Sequence, residues 1–229
     1  MHTIPRIASR KGYSGTLENT IVRLLLVRHG LTLSNVQERY TGQSDVPLTE
    51  MGERQAEAVG KRLATEALDV IVSSDLQRAH ATAGAIARYH NLPVCDDADL
   101  REASLGEWEG LTYSEVIARY RELVRHRRED PNVSAPGGES FMQLRDRVAR
   151  ARTRWQSHYP NSTMVWVTHA GIIEVSLCLF LGIDLKHRRQ FHHSNASITE
   201  FDLSRDYGIL VSLNNTEHLR MLEDGIEYK

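Results

Sequence analysis

The feature that most constrains the fold is a short apolar run at residues 21–26, which is followed at once by Arg28, His29 and Gly30. The run is rich in leucine and β-branched residues, a composition typical of a strand that is buried on both faces. In open α/β sheets, side chains at the carboxyl ends of strands line the ligand crevice. Position alone therefore makes Arg28 and His29 candidates for a functional site, although polar residues also end strands that carry no site.

Strand-like segments recur along the chain with helical patterns between them. Apolar runs predict further strands at residues 68–73, 93–95 and 163–168. Two final strands are predicted at residues 197–203 and 208–214, and the turn between them indicates a hairpin. A strand–helix–strand rhythm with short connections is typical of a parallel sheet. The sequence therefore predicts an α/β fold, a three-layer α/β/α sandwich with a mostly parallel sheet plus one antiparallel strand.

Several residues mark where the helices begin and end. Thr49 is a predicted N-cap, and Ser74 with Gln77 has the capping-box pattern, which places Arg78 near a helix N-terminus. Further capping boxes are predicted at Thr112–Glu115 and Ser140–Gln143, and Gly182 is predicted to end the last long helix. The box at Ser140–Gln143 is followed by an apolar stripe at helical spacing, made of Phe141, Leu144, Val148, Ala151 and Trp155.

The strand rhythm is interrupted between about residues 106 and 160, where the patterns are helical with no strand between them. We interpret this segment as a small helical lid inserted into a single domain that covers residues 21–229. The arginine-rich stretch at residues 119–128 is expected to be a solvated helix face, and a substrate-binding patch is the alternative. Residues 1–20 lack the continuous apolar core of a secretory signal and are expected to form a flexible N-terminal arm.

Composition limits the partners that the protein can have. The chain has 229 residues, of which 41% are apolar, and this is enough for one sizeable core. A formal net charge of -2 provides no basic field for nucleic acid, and no apolar run is long enough to span a membrane. The two cysteines, Cys95 and Cys178, indicate neither a disulfide framework nor a zinc site. We therefore expect a cytoplasmic protein without nucleic-acid or membrane partners.

Four side chains follow predicted parallel strands or lie in the next helical turn, so one crevice can receive all of them. They are Arg28, His29, Arg78 and His169. Helix N-termini after Ser74 and His169 would add backbone N–H donors, and this combination favours a phosphoryl group. Two arginines can neutralise its oxygens without a metal ion. Neutral donors are available at Asn35, Thr41 and Gly42.

A neutral histidine in such a pocket can attack phosphorus. His29 would then form a phosphohistidine, and Glu102 is the natural proton donor to the leaving oxygen. Two simpler interpretations stay open from the residues alone. Glu102 can instead form a surface ion pair with Arg101, and His169 can be a core histidine that is hydrogen-bonded to the backbone.

These residues lie in stretches that resemble the histidine phosphatase superfamily, in its phosphoglycerate-mutase-like branch. The stretches are Arg28-His29-Gly30 with Thr32 and Asn35, Thr41-Gly42 with Asp45 and Pro47-Leu48-Thr49, Ser73-Ser74-Asp75-Leu76 with Arg78, Leu100-Arg101-Glu102, Gly106 with Trp108 and Gly110, Pro136-Gly137-Gly138-Glu139-Ser140, and Thr168-His169-Ala170-Gly171. They occur in the family's order and span about residues 22–215. The resemblance implies that His29 is the nucleophile and Glu102 the acid/base. It assigns substrate binding to Arg28, Asn35, Thr41, Gly42, Arg78, His169 and Ala170.

The segment after Glu102 separates the two activities of this family. Mutases carry a lysine-containing sequence and a longer insertion there, whereas residues 103–112 contain no lysine and resemble alpha-ribazole phosphatase and the broad-specificity phosphatases. The expected protein is a metal-independent phosphomonoesterase that needs no cofactor and acts on a small phosphorylated substrate. A homodimer is possible. A cofactor-dependent phosphoglycerate mutase is the main alternative, and a catalytically silent binding module is a third.

Overall fold

Six strands form one mixed sheet in the computed structural model, which describes residues 22–204 and 207–223. The strands are Arg23–Arg28 (β1), Val70–Ser73 (β2), Val94–Asp96 (β3), Thr163–Thr168 (β4), Ile198–Asp202 (β5) and Ile209–Asn215 (β6). The α-helices are Leu33–Val36 (α1), Glu50–Leu63 (α2), Gln77–Ala87 (α3), Tyr113–Glu129 (α4), Phe141–His158 (α5), Ala170–Leu181 (α6) and Arg220–Glu223 (α7). The arm predicted at residues 1–20 lies outside the described residues.

The strand order β3-β2-β4-β1-β5-β6 places the first and fourth strands side by side at the centre. Strands β1 to β4 are mutually parallel and β5 runs against its neighbours, so the predicted sheet with one antiparallel strand is confirmed. Arg28 at the end of β1 pairs with Thr168 at the end of β4. Consequently His29 and His169 lie next to each other, each one residue beyond the end of its strand, at the carboxyl edge where ligand crevices form.

Alternate residues of the buried strands enter two separate cores, which confirms the three-layer sandwich. Leu25 and Val27 of β1 pack on one face with apolar side chains of α2 and α3, among them Val59, Leu63, Ala83 and Ile86. Leu24 and Leu26 pack on the other face with side chains of α5 and α6, among them Leu144, Val148, Ile173 and Leu177. Because side chains alternate along a strand, a continuous apolar run can fill both cores.

Most of the predicted helix boundaries are confirmed by hydrogen bonds. Thr49 accepts a bond from the Gly52 N–H, and the capping boxes that begin at Thr112 and Ser140 are both formed. Gly182 ends α6 with a φ of 67°, the left-handed conformation that favours glycine at a helix terminus. No helix within residues 22–204 and 207–223 is long and apolar enough to span a membrane.

The start of α3 differs from the prediction. Ser74 does not cap this helix, which begins at Gln77 with Leu76 as its N-cap and no side-chain capping bond. Asp45, in the loop between α1 and α2, instead accepts the Gln77 N–H at 2.8 Å. The Ser74 hydroxyl is hydrogen-bonded to His169 instead. The side chain that the sequence predicted as a helix cap therefore lies at the crevice.

The two helices of the predicted lid differ in how they pack. The α5 stripe is buried as predicted, and α5 packs against α6. Only three residues of α4 are buried, and one of them is Arg127, whose exposed fraction is 8%. The expectation of a solvated face at residues 119–128 is correct for Arg119, Arg121, Arg125 and Arg128, which are exposed. It is wrong for Arg127, because this side chain packs over the rings of Trp108 and Phe141.

Candidate active site

A cavity of about 240 Å³ lies at the carboxyl edge of β1 and β4. Eight of the nine predicted site residues line it, namely Arg28, His29, Asn35, Thr41, Gly42, Arg78, Glu102 and Ala170. The ninth, His169, lies beside His29, with 5.1 Å between the two ring centroids. The structure therefore brings together all the residues that the sequence singled out, and we refer to this cavity as the strand-tip pocket.

The imidazole of His29 is fixed in orientation and in charge. Its Nδ1 lies 2.7 Å from the carbonyl oxygen of Gly30, which can only accept, so Nδ1 carries the proton and Nε2 keeps its lone pair. Burial removes the ring from water, and Arg28 and Arg78 lie nearby, so the pKa of His29 falls well below its usual value. The ring is therefore a neutral base with Nε2 as its reactive atom.

Two buried guanidinium groups are held by backbone carbonyls. Arg28 donates to His193 O at 2.6 Å, and Arg78 donates to Ser44 O at 2.9 Å and to Gly42 O at 2.7 Å. No carboxylate of the described residues forms an ion pair with either one. Burial lowers the pKa of both arginines. Two fixed cations that form no direct ion pair with a described carboxylate suit a dianion such as a phosphoryl group.

His169 is completely buried, and the Ser74 hydroxyl bonds to its Nε2 at 2.9 Å. The interpretation of a core histidine bonded to the backbone is therefore wrong, because the partner is a side chain of the neighbouring strand end. The Nδ1 atom has no partner within the described part of the chain. Burial, together with the charge of Arg78, holds the pKa of His169 well below its usual value.

The Glu102 carboxylate is held at the N-terminus of α6. Its Oε1 accepts the Ala103 N–H at 2.8 Å and its Oε2 accepts the Gly171 N–H at 3.2 Å. Arg101 pairs with Asp75 at 2.7 Å, so the alternative of an Arg101–Glu102 surface ion pair is wrong. A Cβ atom at position 171 would lie 2.3 Å from Oε1, so a larger residue there would displace the Glu102 carboxylate.

A sequence model described as the histidine phosphatase superfamily (branch 1) matches residues 24–216, which include the whole strand-tip pocket. The chain belongs to this superfamily. It is 40% identical over 193 residues to a bifunctional protein of Mycobacterium tuberculosis, covering 83% of this chain and 53% of the relative. The chain thus spans about half the length of the first curated relatives that it matches.

Two further comparisons cover almost the whole of the related chains. Phosphoserine phosphatase 1 of Hydrogenobacter thermophilus is 35% identical over 200 residues, covering 87% of this chain and 95% of the relative. The native structure of a mycobacterial glucosyl-3-phosphoglycerate phosphatase has a TM-score of 0.78 and 31% identity, covering 85% of this chain and 99% of the other. The α/β architecture is therefore that of a histidine phosphatase structure.

Two residues that organise the pocket of this superfamily member were not predicted from the sequence. Asn195 donates through Nδ2 to His29 O and to Asn35 Oδ1, at 3.1 Å each. Glu109 accepts the backbone N–H groups of Gln43 at 3.0 Å and Ser44 at 2.9 Å. Glu109 lies inside the Gly106-x-Trp108-x-Gly110 stretch, which could have indicated it, whereas Asn195 lies in a loop without a local pattern.

A second cavity of about 230 Å³ adjoins the pocket beneath α4, and we call it the lid cavity. It shares Tyr40, Arg127, Phe141 and Glu174 with the strand-tip pocket, and Trp108 and Arg188 are among its other lining residues. Glu174 was not predicted, although it follows Ala170 by one helical turn and so faces the same side of α6. Burial raises the pKa of this carboxyl to about 7.

The described residues contain no group of three or more histidine, cysteine, aspartate or glutamate side chains that could hold a metal ion. A neutral imidazole, two arginines and a carboxylate can together bind a phosphate dianion, attack its phosphorus and move a proton.

Proposed function

We propose that this protein hydrolyses a small phosphomonoester through a phosphohistidine on His29, with Glu102 as the acid/base. The main supporting observation is the fixed tautomer of His29, whose ring lines a pocket with two arginines that form no direct ion pair with a described carboxylate. Membership of the superfamily supports the same reading. The pocket has room for a small ligand, since its volume is about 240 Å³.

The proposed reaction has two steps. In the first, Nε2 of His29 forms a bond to phosphorus while the ester P–O bond breaks, and protonated Glu102 gives its proton to the leaving oxygen. In the second, the oxygen of a water molecule forms a bond to phosphorus while the bond between phosphorus and Nε2 of His29 breaks, and the water gives a proton to the Glu102 carboxylate. Inorganic phosphate is released, and both His29 and protonated Glu102 are regenerated. Arg28, Arg78 and His169 hold the phosphoryl oxygens, so the arginine cations neutralise the developing charge without a metal ion.

Hydrolysis rather than mutase activity is supported by the names of two of the compared proteins and by the sequence after Glu102. The Hydrogenobacter protein and the mycobacterial structure are both phosphatases by name. Residues 103–112 lack the lysine of the mutase pattern. We also propose a cytoplasmic location, supported by the free thiols of Cys95 and Cys178. Cell fractionation tests the location, and sedimentation velocity tests the homodimer that the fold allows.

The proposal is tested by trapping the phosphoenzyme and by identifying the product. Wild-type protein should hydrolyse p-nitrophenyl phosphate in excess EDTA and should carry acid-labile radiolabelled phosphate after a rapid quench. His29→Ala should abolish both signals while circular dichroism stays native, since this residue lies just beyond the end of β1. With 3-phosphoglycerate and 2,3-bisphosphoglycerate, free phosphate should form without 2-phosphoglycerate.

Three results would contradict the proposal. Activity that disappears in EDTA and returns with a divalent ion would exclude the metal-independent mechanism. A labelled phosphoenzyme in the His29→Ala variant would remove His29 as the nucleophile. Efficient formation of 2-phosphoglycerate would identify a mutase.

A further inference from the structure

A stretch that the sequence singled out, residues 136–140, has no part in the proposed mechanism. It lies between α4 and α5, and Glu139 in this stretch precedes Ser140, the N-cap of α5. The Glu139 carboxylate pairs with Arg147 of α5 at two points, since Nε donates to Oε1 and Nη2 donates to Oε2, both at 2.7 Å. Both side chains are only 14% exposed. A two-point pair that is largely shielded from water fixes the orientation of the guanidinium plane.

The guanidinium of Arg147 also holds the segment that carries Glu102. It donates to the backbone oxygens of Asp99 at 2.7 Å, of Arg101 at 3.1 Å and of Glu102 at 3.3 Å. Residues 99–102 lie outside the sheet, so strand pairing does not satisfy these carbonyl groups. Arg147 supplies side-chain donors in place of that pairing, and the backbone at Glu102 is thereby fixed relative to α5.

Two further hydrogen bonds join Glu139 to the loop that follows Glu102. The Glu139 N–H donates to the Ser104 carbonyl at 2.8 Å, and the Ser104 N–H donates to Oε2 of Glu139 at 3.4 Å. A Cβ atom at position 138 would lie 2.7 Å from the same Ser104 oxygen, so a larger residue there would push the two segments apart. Glu102 is therefore held on both sides, at its own carbonyl by Arg147 and two residues later by Glu139.

We infer that Arg147 and Glu139 are positioning residues for the proposed acid/base Glu102. Neither side chain lines the strand-tip pocket, so both act through the backbone of residues 101–104. The Ala103 N–H that binds the Glu102 carboxylate belongs to the same segment, and a shift of the segment moves this carboxylate away from the leaving oxygen. Proton transfer needs the donor within hydrogen-bond reach, so a displaced carboxyl group is a weaker general acid. This inference rests on the proposed phosphatase function.

The test compares two substrates of similar size that differ in their need for a proton. Benzyl phosphate releases a strongly basic alkoxide, whereas p-nitrophenyl phosphate releases a phenolate that is stable without protonation. Arg147→Met should slow phosphorylation of His29 by benzyl phosphate by up to roughly 100-fold, the loss that a misplacement of about 1 Å can cause. Phosphorylation by p-nitrophenyl phosphate should slow by less than about threefold, because its leaving group needs little protonation. Rapid quench of single-turnover reactions, with radiolabelled substrates, measures both rates.

Three further variants separate positioning from a loss of stability. Arg150→Met is the matched control, because Arg150 lies on the same helix and pairs with Asp99 Oδ1 at 2.8 Å but donates to neither carbonyl of residues 101–102. It should leave both rates unchanged. Arg147→Lys keeps the charge and loses the planar fork, so it should recover only part of the rate with benzyl phosphate. Glu139→Gln combined with Arg147→Met leaves no unpaired carboxylate in a shielded position, and this folded double variant should show the same selective loss.

A variant that lacks the proton donor shows whether Arg147 acts through Glu102. In a Glu102→Gln background, adding Arg147→Met should slow benzyl phosphate by no more than about threefold further, because two changes that remove the same contribution are not additive. A full additional loss would overturn the inference, since Arg147 would then act through another group. Equal slowing of both substrates by Arg147→Met and by the Glu139→Gln/Arg147→Met variant would also overturn it and leave a purely structural ion pair.

The outcomes distinguish this inference from the proposed function. If Glu102→Gln slows benzyl phosphate selectively while Arg147→Met behaves as the wild type, only the inference is overturned. If Glu102→Gln slows both substrates equally, the acid/base role in the proposed function is overturned, and the inference falls with it. A wild-type protein that forms no phosphoenzyme from either substrate would overturn the proposed function as a whole.

Discussion

The strand-tip pocket and the lid cavity adjoin each other but hold their charges in different ways. In the strand-tip pocket, Arg28, Arg78 and Glu102 are each held by backbone groups, as Glu102 is by the N–H groups of Ala103 and Gly171. In the lid cavity, Arg127 and Glu174 have no hydrogen-bond partner among the described residues. The first site is thus preorganised, whereas two charged side chains of the second have no hydrogen-bond partner among the described residues.

This difference matches a division of labour between the two sites. Groups that stabilise a transition state act best when they are already fixed, since no reorganisation is needed during the reaction. Groups that select among substrates need only recognise the part of the ligand that does not react, and they can belong to a helix such as α4. Substitutions in the two sites should therefore affect different kinetic quantities.

The largest effect is expected for Glu102→Gln, because this change removes the proposed proton donor and keeps the side-chain volume. Phosphorylation by an alkyl phosphate, whose leaving alkoxide needs the proton, should slow by roughly 100- to 10,000-fold. Phosphorylation by p-nitrophenyl phosphate should slow far less, because its leaving group is stable without protonation. Single-turnover formation of the phosphoenzyme isolates this step for both substrates.

Glu109→Gln is a suitable comparison for that variant, since Glu109 binds loop backbone groups and not the leaving oxygen. It should affect both substrates to a similar extent. If Glu102→Gln also slowed both substrates equally, Glu102 would serve only to position groups, and the proton donor would have to belong to another side chain.

The sequence predicts the strand-tip pocket well because strand ends can be recognised locally. The run that forms β1 and the run that forms β4 both stop at a histidine, and parallel pairing of these strands brings His29 and His169 together. Glu102 was found through its place after Leu100 and Arg101 at a loop edge and through the family resemblance. Its contact with Gly171 depends on tertiary structure, but both residues lie in recognisable stretches.

The lid cavity was missed because its residues are ordinary in their local context. Arg127 lies in a run of exposed arginines, and only its packing over Trp108 and Phe141 distinguishes it from its neighbours. Glu174 is a single acid in an apolar helix. Asn195 similarly carries no pattern, yet it bonds to two residues more than 150 positions away in sequence. Such contacts depend on how distant elements pack, and no periodicity encodes them.

A smaller effect is expected from the buried acid of the lid cavity, and it should appear in stability as a function of pH. The pKa of Glu174 is raised from 4.5 to about 7, chiefly by burial and then by the charge of Glu102, while Arg28, Arg188 and Arg189 act in the opposite sense. Between these values the unfolded chain loses the proton and the folded protein keeps it. Folding is therefore most favoured by this group below pH 4.5, and the benefit is lost as the pH rises to 7.

The Glu174→Gln variant has no proton to lose, so it should gain stability relative to the wild type over the same interval. The gain between pH 4.5 and pH 8 is expected to be up to roughly 3 kcal/mol. Urea unfolding of both proteins at the two pH values measures it, and other titrating groups cancel in the comparison. A difference that stays constant with pH would show that Glu174 is already charged and paired in the free protein.

The smallest effect is expected for the capping residues of α4 and α5, the two helices of the lid segment. Thr112→Ala and Ser140→Ala each remove one capping box, and each should lower the free energy of unfolding by about 1 kcal/mol. The helices differ in burial, since α5 contributes five apolar residues to the core whereas α4 contributes only Val116 and Val124 besides Arg127. We therefore expect α4 to open on its own, before the sheet and α5 unfold.

Amide hydrogen exchange distinguishes local opening from a single unfolding unit. If α4 opens separately, Thr112→Ala should speed exchange of the α4 amides by about fivefold, which corresponds to 1 kcal/mol. Ser140→Ala should leave the exchange rates of those amides unchanged. Ser140 caps α5, and α5 stays folded when α4 alone opens, so the substitution changes the closed and the open state equally. Equal acceleration by both variants would mean that α4 and α5 unfold together. The wall that α4 contributes to the lid cavity would then be as stable as the core that α5 belongs to.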